Sequence, residues 1–156
     1  MGSARDFDFF MGSWTVRNRF LADRLQGSDD WVEFEASSAA RLLPGVLGNE
    51  DEFRTDFQGG FVGMSFRFFD PASGRWSIYW ADSRRPGLLD PPVLGGFANG
   101  VGVFEGTDVL GGNPILVRFT WSEVNTPSPR WEQAFSGDGG ETWEPNWIME
   151  FTRAAG

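Results

Sequence analysis

Polar and apolar residues alternate along most of this chain, and the alternation stops at short intervals on glycine, proline or asparagine. Between Gly12 and Leu21, the apolar Trp14, Val16 and Phe20 interleave with Thr15, Arg17 and Arg19. A period of two marks a strand with one buried face. The same pattern predicts strands over Trp31 to Leu43, Asn49 to Phe57, Phe61 to Phe69 and Arg75 to Ser83. It continues over Val93 to Ala98, Val101 to Gly106, Pro114 to Val124, Arg130 to Ser136 and Asn146 to Arg153. The breaks carry turn chemistry. Asn99-Gly100 suits a two-residue hairpin, Asp70-Pro71-Ala72-Ser73-Gly74 a tighter bend, and Arg84 to Pro92, with three prolines, a loop. The one helix expected is short, from Ala4 to Met11 before the first strand.

Roughly eight to ten strands with short connections predict an all-β domain spanning residues 1–156, without linker or composition break. Antiparallel strands in this order close into an up-and-down β-barrel and so remove their edges. One face of such a sheet is buried, and an aromatic-lined lumen is the simplest way to bury it. Sixteen Phe and eight Trp fit this reading, because flat rings pack well on a pleated, half-buried surface.

Charge and missing residue types narrow the chemistry. The net charge is −9, which argues against nucleic acid and against anionic membrane surfaces as partners. No apolar run approaches the roughly 20 residues of a membrane span. Met1 to Asp8 shows no leader pattern and the chain has no cysteine, so the sequence predicts a cytoplasmic protein. All basic residues are arginine; His, Cys and Lys are absent. That removes imidazole acid–base catalysis, thiol and Schiff-base chemistry, and the common zinc and haem ligand sets. The sequence points to no cofactor. Glu50-Asp51-Glu52 is no metal site either, because neighbouring residues on a strand face opposite ways.

Phe7-Asp8-Phe9-Phe10-Met11-Gly12-Ser13-Trp14 resembles the opening of lipocalins and other calycins, where Gly-x-Trp enters the first strand. That resemblance implies that Trp14 plugs the closed end and that Arg153, on the last strand, packs across it, both in structural roles. The whole chain is similar to a family of small bacterial lipocalin-like barrels of unknown function. Phe9 to Trp14, Phe69 to Trp80, Arg130 to Ser136 and Asn146 to Phe151 carry the likeness. It implies the fold and no catalytic residue. Ser136-Gly137-Asp138-Gly139-Gly140-Glu141-Thr142-Trp143 resembles the Asp-box hairpin of sialidase propellers. One copy cannot build a propeller, so the expectation is a structural hairpin.

Alternation also assigns faces. The more apolar face holds Trp14, Val16, Phe66, Trp80, Trp121, Phe135, Trp147 and Met149, and carries Asn18, Asp82 and Gln133 inward with it. The opposite face holds Arg67, Tyr79, Arg118, Glu132 and Glu150, expected outside because each unpaired buried ion costs several kcal/mol. A bulge would flip a strand locally, and an Arg, Glu and Tyr set turned inward would point to catalysis.

The leading expectation is binding of a small hydrophobic or aromatic molecule. Phe66, Trp80, Trp121 and Trp147 line the lumen, Asn18, Asp82 and Gln133 orient a polar substituent, and Arg84 guards the mouth. A second reading is a cofactor-independent isomerase, cyclase or lyase. There Asp82, its pKa raised by apolar surroundings, acts as acid or base, with Tyr79 or Arg84 stabilising an enolate. The third is a structural or interaction protein with a filled core. The sequence leaves oligomeric state open, a homodimer included.

Overall fold

The computed structural model of the chain describes residues 2–155; Met1 and Gly156, the ends of the expected 1–156 domain, lie outside them. Ten antiparallel strands form one closed barrel. They are β1 (Gly12–Leu21), β2 (Trp31–Leu42), β3 (Gly48–Thr55), β4 (Phe61–Asp70) and β5 (Arg75–Asp82), followed by β6 (Val93–Ala98), β7 (Val101–Leu110), β8 (Asn113–Ser122), β9 (Arg130–Ser136) and β10 (Glu144–Arg153). Each pairs with its neighbours in the chain, and β10 returns to β1 with Trp14 opposite Arg153 and Val16 opposite Phe151. Among the described residues, every strand is thus paired on both sides over at least part of its length. At the tip of the β6–β7 hairpin, Asn99 and Gly100 take φ of 54° and 77°, the two positive values a two-residue turn needs.

In place of the helix expected over Ala4 to Met11 there is one 3-10 turn, Asp8–Phe10. It crosses the closed end and drives Phe7 and Phe10, both fully buried, into the barrel. Phe7 meets Trp76 and Phe97 edge-on at 4.9 and 5.0 Å, while Phe10 lies 4.9 Å from Trp121 and 5.1 Å from Phe151. These rings make an aromatic floor. Trp14 joins it through Nε1, which donates to the Phe10 carbonyl at 2.8 Å. The Arg153 guanidinium lies 3.9 Å over the Trp14 ring and donates to the carbonyls of Phe9 and Met11. Gly12 makes room for it: a Cβ there would stand 2.6 Å from Arg153 Nη1, and its φ is +109°. The positive φ is what calls for glycine in Gly-x-Trp, and the missing side chain leaves space for Arg153.

The loops after β1, β3, β5, β7 and β9 gather at the opposite end, the mouth. The β5–β6 ladder is short, pairing only Trp76 to Ile78 with Val93 to Gly95. Above it the Pro-rich loop takes over, with Asp90 N–H donating to the Trp80 carbonyl at 2.9 Å. Among the described residues, no helix is long and apolar enough to cross a membrane.

Candidate ligand cavity

The barrel is hollow. A cavity of about 490 Å³ runs from the floor at Phe10 and Trp121 to the mouth at Arg24 and Arg84. That volume falls within the roughly 300–1,000 Å³ of small-molecule sites. The walls are mostly aromatic and aliphatic: Phe20, Phe53, Ile78, Trp80, Val117, Phe119, Trp131, Phe135, Trp147 and Phe151 among others. Trp147 sits centrally, 5.9 Å from Trp131, 6.3 Å from Trp80 and 6.1 Å from Phe53, in each case nearly edge-on. Edge-to-face packing fixes these rings in place around the void.

Strand facing decides what else reaches the cavity. On β5, β8, β9 and β10 it follows the sequence pattern, so Trp80, Asp82, Trp121, Gln133, Phe135, Trp147 and Met149 all line the lumen. On β4 the expectation fails. Phe66 lies opposite Tyr79 and Glu50 on the outer face, is only half-buried, and is not part of the cavity wall. The inward positions are Phe61, Gly63, Ser65 and Arg67. The reason is room. The Trp80 ring fills the space inside Gly63, where a Cβ would come within 2.0 Å of Trp80 Cη2. A large residue cannot face it there, so the apolar side chains Met64, Phe66 and Phe68 go outside, the last packing 6.0 Å from Tyr79.

Arg67, expected outside, is thus buried. Its Nη2 donates to Asp51 Oδ1 at 2.6 Å and its Nη1 to Asn49 Oδ1 at 2.9 Å. Ser38 Oγ donates to the other Asp51 oxygen at 3.2 Å. The guanidinium also lies just over 5 Å from the rings of Phe7 and Phe10, so cation and floor hold one another. This pairing allows two ions to sit inside a barrel, with Arg67 Nε alone left buried and unpartnered among the atoms of the pair. Glu50 and Glu52, flanking Asp51, point outward to Arg41 and Arg54. Tyr79, Arg118, Glu132 and Glu150 stay on the outside, Arg118 ion-paired with Glu105.

A second polar cluster rings the mouth. The Asp82 side chain is fully buried. Trp80 Nε1 donates to Asp82 Oδ2 at 2.9 Å, and Arg84 donates from Nε to Oδ1, from Nη2 to Oδ2 and from its backbone N–H to Oδ1. Burial pushes the Asp82 carboxyl pKa up, but the bonds from Arg84 and Trp80 outweigh it and hold the group at about 2. Asp82 is therefore an ionised anchor for Arg84, and the raised pKa that acid–base work would require is absent. Arg84 extends to Gln58 Oε1 at 2.8 Å and covers the Phe61 ring at 3.7 Å, closing one side of the mouth. Arg85 pairs with Asp90 at 2.8 Å.

Asn18 is buried and committed to the scaffold. Its Nδ2 donates to the carbonyls of Val16 and Phe34, and its Oδ1 accepts from Trp147 Nε1 at 2.9 Å. It orients Trp147 and lies outside the cavity wall. Gln133 does reach the cavity, and its Nε2 donates to Asn146 Oδ1 at 2.8 Å. The Asp-box stretch closes on itself through Ser136, Asp138, Thr142 and Gly140, with Arg118 lying 3.8 Å over Trp143. Sequence reasoning missed Arg24, Arg67, Asp51 and Phe53 as parts of this site. No family model matches this sequence, and no curated protein matches it.

Proposed function

We propose that this protein binds a small, mostly apolar or aromatic molecule inside its barrel, in the manner of lipocalin-like carriers. The hollow, tryptophan-lined lumen of about 490 Å³ carries the reading. Burying a ring there removes apolar area from water at roughly 25 cal/mol per Å². The fixed edge-to-face indoles offer stacking surface without further ordering cost. The floor motif of Gly12, Trp14 and Arg153 supports the lipocalin-like assignment of the barrel, although lipocalins close with eight strands and this chain uses ten.

A binding role is favoured over a catalytic one by Asp82, which at about 2 stays ionised and bonded to Arg84. Tyr79, the other candidate for that chemistry, faces out. A filled structural core is disfavoured by the void itself. The test uses neutral 1-aminoanthracene, whose emission rises and shifts to the blue in apolar surroundings. Saturable binding of one probe per chain, with quenching of tryptophan emission, is expected. Val117→Trp, which projects an indole into the void, is expected to abolish that binding while the protein stays folded. Failure of the wild-type protein to bind this probe or any other aromatic compound would overturn the reading.

A further inference from the structure

Four arginines line the cavity, and three are already matched: Arg67 by Asp51, Arg84 by Asp82, Arg85 by Asp90. The fourth is Arg24, in the loop between β1 and β2. Among the described residues, no carboxylate stands within ion-pair distance of it. Its Nε donates to the Leu21 carbonyl at 3.3 Å, which orients the fork. Its Nη2 is buried and has no hydrogen-bond partner in the protein. The guanidinium is stacked 4.4 Å over Phe20 and 5.4 Å from Phe135, two rings of the upper cavity wall.

The loop is held in this arrangement by a distant strand. Leu25, next in the chain, takes φ of +59°, a region that a branched side chain avoids. Its N–H is clamped by Glu144 Oε1 at 2.6 Å. Glu144 is thereby engaged by the backbone and acts on Arg24 through its charge alone. Burial and the neighbouring Arg84 lower the Arg24 pKa to about 10, which leaves it fully charged at neutral pH. Asp108 also lines the cavity without an ion pair, and its Oδ1 accepts the N–H of Val109. A cavity-lining cation without a carboxylate partner among the described residues, stacked on aromatic rings at the mouth, is complementary to an anion attached to an apolar body.

We infer that the ligand is an amphipathic carboxylate, its apolar part in the tryptophan-lined lumen and its carboxylate hydrogen-bonded to Arg24 at the mouth. This rests on the proposal that the lumen holds a ligand, and the test separates the two. Binding of 2-naphthylacetate and of its neutral amide, 2-naphthylacetamide, is measured by titration calorimetry at neutral pH, beside 1-aminoanthracene. The wild-type protein is expected to prefer the acid by at least about tenfold. Arg24→Gln is expected to erase that preference, bringing the affinities for acid and amide within about twofold of each other. Arg24→Lys, which keeps the charge and loses the planar fork, is expected to retain part of it. Equal binding of acid and amide by the wild type, or a preference that survives in Arg24→Gln, overturns the carboxylate inference and leaves the lumen reading standing. Binding of 1-aminoanthracene alone does the same. If none of the three compounds binds, both fall.

Discussion

Replacing Arg67 by methionine keeps most of the hydrophobic stem and deletes the cation that Asp51 needs. In the wild-type barrel the two side chains are 5% and 7% exposed. After the substitution Asp51 retains only the Ser38 hydroxyl at 3.2 Å, and Asn49 Oδ1 loses its donor. Removing one partner of a buried pair costs about 3–5 kcal/mol, chiefly because the remaining charge is left without compensation. Methionine recovers some contact with Phe7 and Phe10, worth up to about 1 kcal/mol. The net expectation for Arg67→Met is a loss of about 2–4 kcal/mol, a large share of the roughly 5–15 kcal/mol that holds a domain folded.

The companion is the double variant Arg67→Met with Asp51→Leu, which removes both charges together. It is expected to regain about 2–3 kcal/mol relative to the sum of the two single variants. Tryptophan emission through an equilibrium urea titration reads both quantities, provided the slope of the transition stays constant across the variants. If Arg67→Met fails to fold, a double variant that folds gives the same answer qualitatively. A single-variant loss under about 1 kcal/mol, or strictly additive losses, would refute the view that Arg67 and Asp51 are a mutually dependent buried pair.

Two other expectations follow from the mouth and the floor. The Asp82 pKa lies at about 2, below its ordinary 3.8, so the unfolded chain binds the proton more readily. The stabilisation is complete above about pH 4 and is lost as the pH falls toward about 2; Arg84 and Arg85 are partly in water, which trims it to about 1–2 kcal/mol. Acid titrations of stability for the wild type and Asp82→Asn should show a gap that is flat from pH 7 to 5 and narrows below 4; a pH-independent gap would contradict the assignment. At the floor, Arg153→Met is expected to cost about 2–3 kcal/mol through the lost cation–indole contact and two carbonyl bonds. Because neither Arg153 nor Trp14 lines the cavity, 1-aminoanthracene affinity measured on the folded variant should not change.

The strand pattern was legible because alternation is a local rule, and the floor because the opening resembles that of calycins. Alternation located all ten strands, and the Gly12-x-Trp14 opening with Arg153 anticipated the floor contact at 3.9 Å. Arg24 was not legible. It lies in a loop without periodicity, and its position depends on Glu144, far along the chain, clamping Leu25. Asn18 illustrates a different limit: its inward facing was readable, but its commitment to Trp147 Nε1 depends on the pairing of β1 with β10.

The inversion of β4 is more instructive, because single-strand hydrophobicity and cross-strand pairing disagree there. In the hairpin around Asp70 to Gly74, Asp70 pairs with Arg75, so partners on β4 and β5 sum to an odd number. If Trp76, Ile78 and Trp80 face inward on β5, their partners Phe69, Arg67 and Ser65 must as well, and Phe66 must face out. The β3 pairing requires the same facing on grounds of charge. Turning Phe66 and Met64 inward would carry Glu50 and Glu52, together with Arg41 and Arg54, into the lumen and turn two solvent-facing ion pairs into buried ones. Turning Arg67 inward instead brings Asn49 directly opposite and Asp51 one step along, a matched set. Hydrophobicity favoured one face of β4, and register with charge balance across three strands favoured the other. Register prevails because it is fixed by backbone hydrogen bonds along the whole ladder, whereas a phenylalanine on the outer face forfeits only part of its burial. In a barrel that keeps a cavity, the inner face need not be the most apolar one: on β4 Gly63 yields its side-chain space to the Trp80 ring, and Ser65 stands opposite that tryptophan.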